Sequence, residues 1–145
     1  MNLGNETDIK WIYNVSFPVG PGRANNQDDV MLVQHAINTL LTHFEIKNAK
    51  GGRITTYLKR DGIFGPRTAE AILGYQKHAR DVRHLVITAD GVVEPASHTG
   101  WTKHSNLQYT IVHLNRDHRK LYGKMMSEDD FPDKLRAALK KWVAY

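Results

Sequence analysis

The stretch Asp61-Gly62-Ile63-Phe64-Gly65-Pro66 constrains this chain more than any other. It packs two glycines, a proline and two large apolar residues into six positions. Such a run makes a hard corner. An aspartate bonds the backbone just ahead of it and glycine supplies a positive φ. The apolar pair is expected to plug a core. Proline fits the first helical position, where its missing N–H would be unpaired anyway. The same order returns 29 residues later as Asp90-Gly91-Val92-Val93-Glu94-Pro95. The echo predicts one turn built twice.

Helical periodicity flanks both corners. Asn26 or Asp28 is suited to cap a first helix. Asp28 and Asp29 lie in its first turn, and Val30, Val33, Ile37, Leu40 and Leu41 form its apolar stripe. After the first corner a helix is expected from Pro66 to about Arg80. Glu70 is its first-turn acid, Ala69, Ile72, Leu73 and Gln76 share a face, and Tyr75 lies beside them. Residues 47–53 read as a mobile basic loop, 54–58 as a short β-prone run, and 85–88 as an apolar link. Tyr109 to Tyr122 fits a helix. A last helix is expected over Lys134 to Val143, where Leu135, Ala138, Leu139 and Trp142 make a stripe behind Pro132 and the acids at 128–130. Near the N-terminus, Lys10 to Val15 reads either as a short strand or as an arm laid on the core by Trp11. The following FPVGPGRANN is loop.

These elements predict a mainly α chain, a compact helical bundle of one ordinary domain or a domain with an appendage. At 145 residues, with 41% apolar and 24% charged side chains, the chain is long and apolar enough to bury its own core. It has no cysteine, so disulfides, thiolate metal sites and a cysteine nucleophile are excluded. The start MNLGNETDIKWIYNV lacks the basic-then-apolar pattern of a secretory signal, and no apolar stretch is long enough to span a membrane. The net charge of +5 favours anionic partners.

Residues 26–101 resemble the peptidoglycan-binding domain, a three-helix module of bacterial and phage cell-wall hydrolases. The family's Val-x-x-Val-Gln with spaced leucines is matched by Val30, Val33, Gln34, Leu40 and Leu41. Its central Asp-Gly-x-Phe-Gly-Pro-x-Thr is matched by Asp61, Gly62, Phe64, Gly65, Pro66 and Thr68, and its aromatic-Gln pair by Tyr75-Gln76. In the closing motif Asp90, Gly91, Val93 and Pro95 match, Glu94 replaces a glycine, and Thr99 and Trp101 come late. The resemblance implies an arm over 1–25, a peptidoglycan-binding-like module over 26–104, and a C-terminal helical extension over 105–145 packed on it. It also implies binding to the cell wall, in the periplasm or at the wall itself.

The corner residues Asp61, Gly62, Phe64, Gly65, Pro66, Asp90, Gly91 and Pro95 are expected to be structural. A wall ligand presents carboxylates, peptide amides and apolar sugar faces, so its receptor needs guanidinium or ammonium groups, amides or hydroxyls, and an exposed aromatic. Arg67, Thr68, Tyr75, Gln76, Lys77 and Arg80 border the corner, and Trp101 is suited to stack on a sugar. Eight histidines give no metal signature: His113 and His118 do not share a helix face, and His98 and His104 lack a third ligand at a familiar spacing. None of the five glutamates sits in a catalytic setting, and there is neither a Gly-x-Ser-x-Gly elbow nor a phosphate loop. Lys77, Arg80 and Arg83 in YQKHARDVRH read as a solvated face before they read as a DNA contact. The expectation is a non-catalytic, cofactor-free binder of peptidoglycan, with room for a protein partner at 105–145. The alternative is an adaptor of a phage or secretion assembly that keeps the fold without wall binding.

Overall fold

The structure is a computed structural model and describes residues 11–96, 109–138 and 141–143, the last three for their backbone alone. Strand β1 (Trp11–Tyr13) leads by a long loop to helix α1 (Gln27–Asn38). Helix α2 (Pro66–Lys77) runs on into a π-helical turn (His78–Val82). Helix α3 (Thr110–Tyr122) follows, then a 3-10 turn (Glu128–Asp130), the one-turn helix α4 (Asp133–Arg136) and strand β2 (Lys141–Val143). The described residues are thus mainly helical. None of their helices is long and apolar enough to cross a membrane.

Helix α1 is the central element. The whole expected stripe, Val30, Val33, Ile37, Leu40 and Leu41, is buried. Asn26 stands at the N-cap without a side-chain capping bond. Asp29 does more than complement the helix dipole: its carboxylate accepts the N–H groups of Ser16 (2.8 Å) and Phe17 (3.0 Å). The N-terminal segment is therefore bound to the core. Ile12, Tyr13, Val15 and Val19 are all buried in it. Side-chain amides satisfy the polar backbone there, as burial requires. Asn115 of α3 takes the N–H and gives to the C=O of Tyr13, each at 3.0 Å. Asn14 does the same for Ala96, at 3.1 and 3.0 Å.

Four expectations change. The helix over Lys134–Val143 stops at Arg136, and Lys141–Val143 pairs antiparallel with β1, Tyr13 opposite Lys141 and Trp11 opposite Val143. The helical spacing of the tail yields to a strand edge that needs a hydrogen-bonding partner. Residues 47–53 form a tied hairpin rather than a mobile loop, with a Lys47–Arg53 bridge and Asn48 N–H on Gly52 C=O at 2.7 Å. Beyond that bridge the 54–58 run makes no strand; Leu58 is instead pinned through its N–H and C=O by the Asn38 amide, at 2.8 and 2.9 Å. The inward stripe of α2 lies one position over from the expected one: Thr68, Ala71, Ile72, Tyr75 and Gln76 are buried, and Ala69 and Leu73 lie half-buried.

Two histidines, His35 of α1 and His118 of α3, are buried. His35 is buried beside the Phe131 ring, and its Nδ1 faces the Arg60 guanidinium at 2.9 Å. Arg60 also donates to the Asp130 carbonyl at 2.8 Å. Burial first, then the Arg60 charge, lowers the His35 pKa from 6.5 to about 4, and burial lowers that of His118 as well. A histidine whose folded pKa is depressed favours the unfolded chain once it is protonated. Its share of stability is present above pH 6.5 and is lost as the pH falls toward 4. Between pH 7 and pH 4 the expected loss from His35 is about 3 kcal/mol. Urea unfolding at the two pH values measures it, and His35→Gln should flatten the pH dependence by that amount. Equal slopes in the two proteins would exclude His35 as the cause.

Candidate functional site

The two corners are clamped by the same device. At the first, Gly62 has φ +74° and its N–H donates to Oε1 of Gln34 at 3.0 Å. The Gln34 Nε2 donates to the Ile63 carbonyl and the Thr68 hydroxyl, each at 3.1 Å. At the second, Gly91 has φ +77° and its N–H donates to Oε1 of Gln76 at 2.7 Å. The Gln76 Nε2 donates to the Val92 carbonyl (3.0 Å) and the Thr110 hydroxyl (2.9 Å). Asp61 and Asp90 each accept the N–H two residues ahead at 3.0 Å. That bond, from Ile63, holds the Asp61 carboxyl below the usual range. The threonine of the first clamp follows its aspartate by seven residues and that of the second by twenty, so the second corner delivers its chain to α3 only after an insertion. The apolar pairs are not both plugs: Ile63 is 65% exposed and Phe64 half-buried, whereas Val93 is buried and bridges to Val19.

This geometry sorts the sequence-predicted ligand residues. Thr68, Tyr75 and Gln76 are buried and committed to internal bonds, Tyr75 donating its hydroxyl to Asp117. They do not reach a surface ligand. Arg80 is exposed and paired with Asp81 at 2.7 Å. Arg67 and Lys77 are exposed and border depressions. Trp101 lies outside the described residues. Glu70 sits beyond the first turn of α2, where it accepts the Ala49 N–H at 2.9 Å and so fastens the 47–53 hairpin to the helix.

Two depressions flank that contact. The larger, about 580 Å³, runs between the hairpin, the outer face of α2 and the second corner. Its floor is apolar, with Ala69, Leu73 and Gly74, and its rim is charged, with Glu45, Lys47, Lys77 and Asp90. Gly74 lets the hairpin approach α2 closely: a Cβ there would lie 2.3 Å from the Lys47 carbonyl oxygen. The π-helical turn forms its far wall through His78, Asp81 and Val82. Burial first and then the Arg83 charge lower the His78 pKa, which favours a neutral ring there. The smaller depression, about 310 Å³, lies on the other side of Glu70 and is lined by Arg53, Tyr57 and Arg67 among others. Tyr57 is 60% exposed.

Sequence reasoning missed Glu45, Arg53 and Tyr57. The signal for the hairpin that lies beside them was present in Asn48 and the Gly51-Gly52 pair, which make a tight turn. Among the described residues no three His, Asp or Glu side chains converge as metal ligands would. No protein-family model, curated protein or solved structure matches this chain.

Proposed function

We propose that the chain is a non-catalytic binder of bacterial cell-wall peptidoglycan, built on a peptidoglycan-binding-domain-like core. The observation that carries the reading is the twinned corner. The residues that resemble the family's two motifs take up one shared geometry, each glycine N–H held by a buried glutamine amide. The clamps place the outer face of α2 beside a preformed depression of about 580 Å³, within the size range of sites that enclose a small ligand. Its apolar floor and charged rim suit a short peptide with methyl groups and ionised ends better than a bare glycan.

Mixing the pure protein with purified sacculi and spinning them down tests the reading. The protein should pellet with the sacculi at low salt and again at about 0.5 M salt, where exposed charge pairs are heavily screened. Protein that stays in solution, or pellets only at low salt, would sink wall recognition and leave the fold as the scaffold of an adaptor.

A further inference from the structure

We infer that the site reads an uncross-linked stem peptide lying across Glu70, with its carboxylate toward Arg67 and its free amine toward Glu45. The inference rests on wall binding and gives the ligand a chemistry and a direction. Three observations carry it. The two depressions adjoin across one wall, since Asn48 and Glu70 line both. Their free charges differ: the guanidinium groups of Arg53 and Arg67 border the smaller, while the larger has Glu45 and Asp90 on its rim beside Lys47 and Lys77. The groups at the two ends are available. Asp81 is paired with Arg80 and Asp90 with its own turn, but neither Glu45 nor Arg67 makes a hydrogen bond or ion pair among the described residues.

A stem peptide carries the complementary order of groups. A sugar comes first, then alanine, then a γ-linked glutamate whose α-carboxylate is free, then a diamino acid with a free amine, then D-alanine methyls and a terminal carboxylate. The exposed Tyr57 ring offers a face to the sugar beside the two arginines. Arg67 takes the carboxylate as a planar fork. The apolar floor receives the peptide body, and Glu45 receives the ammonium. Cross-linking turns that amine into an amide. The charge is lost and Glu45 is left desolvated against a neutral group, so the site discriminates against cross-linked wall.

Calorimetric titration of the full chain with soluble muramyl pentapeptides tests this. The probes are one with a free lysine amine at the third residue, one with that amine acetylated, and one with the glutamate α-carboxylate amidated. Acetylation should weaken binding at least tenfold in the wild type and have no effect in Glu45→Gln. Amidation should weaken it at least tenfold in the wild type and have no effect in Arg67→Gln. Equal affinity for all three probes, or the reverse pairing of variants and probes, overturns the assignment. So does a protein that pellets with sacculi yet binds no probe, and in each of these cases wall binding survives. Failure on both sacculi and probes overturns the two readings together.

Discussion

Gly62→Ala should cost about 3–4 kcal/mol, and the same change at the matching corner, Gly91→Ala, about 1–2 kcal/mol. The two glycines share a motif position, a glutamine clamp and nearly the same backbone, with φ of +74° and +77°. An alanine in that left-handed conformation is strained by about 1–2 kcal/mol at either site. They differ in what surrounds them. A Cβ on Gly62 would lie 2.3 Å from Gln27 Cγ and 2.6 Å from the Gln27 carbonyl oxygen. The side chain can swing away. The carbonyl belongs to the first turn of α1 and cannot. The corner must therefore back off from α1 and stretch the bonds that Gln34 makes to it, which adds about 1–3 kcal/mol. A Cβ on Gly91 would find only Pro21 Cδ, at an ordinary 3.9 Å. Urea unfolding of both variants measures the difference. Equal costs would mean that conformational strain alone sets the price of the corner, and that its packing against α1 is unimportant.

The corners and α1 were legible because their signals are local. Positive φ needs glycine, and five apolar residues at helical spacing have one way to face a core. The clamps were not legible in their mechanics. Gln34 finds its glycine 28 residues away and Gln76 finds its own 15 away, and nothing near an amide in sequence reveals so distant a partner. Tyr75 and Gln76 follow the corner in sequence and so stand among its ligand candidates, but α2 is apolar on more than one side. One side, with Ala71, Ile72 and Tyr75, enters the core, and the other, with Ala69 and Leu73, floors the larger depression. Periodicity measures the width of such a stripe but does not say which part faces protein. The tail misled for a related reason. Leu135 is buried as its helical spacing predicted, yet the chain beyond it leaves the helix to pair with Trp11–Tyr13, at the opposite end of the sequence. Glu45 has no partner acid nearby in sequence, so it carries no catalytic signal there. Only the folded chain places it on the rim of the larger depression.

Arg83→Met should cost about 3 kcal/mol and should take the far wall of the larger depression with it. The Arg83 guanidinium grips Asp117 with two bonds, 2.8 and 2.9 Å, and lies over the Phe44 ring at 4.0 Å. Asp117 is only 7% exposed, and its other partner is the hydroxyl of the fully buried Tyr75. Burial, and then the Asp117 charge, push the Tyr75 pKa well above its ordinary value, so Tyr75 stays neutral and donates its hydroxyl to Asp117. Methionine keeps much of the side-chain volume but leaves the Asp117 carboxylate facing a neutral hydroxyl in a dry site. Removing one partner of a buried pair costs more than the pair itself contributes. The double variant Arg83→Met/Asp117→Leu should therefore be more stable than Arg83→Met alone, and chemical unfolding of the two singles and the double gives the coupling. Additive losses would show that the pair is solvated and the triad unimportant. The consequence for binding follows from position. Arg83 ends the π-helical turn, its N–H on the His78 carbonyl at 3.2 Å, and His78 and Val82 of that turn wall the depression. A turn freed from its anchor at Asp117 no longer holds that wall. In Arg83→Met, affinity for the free-amine muramyl pentapeptide should fall along with stability. The double variant should recover stability without recovering affinity, because the two hydrophobic replacements repair the core but do not tie down the turn.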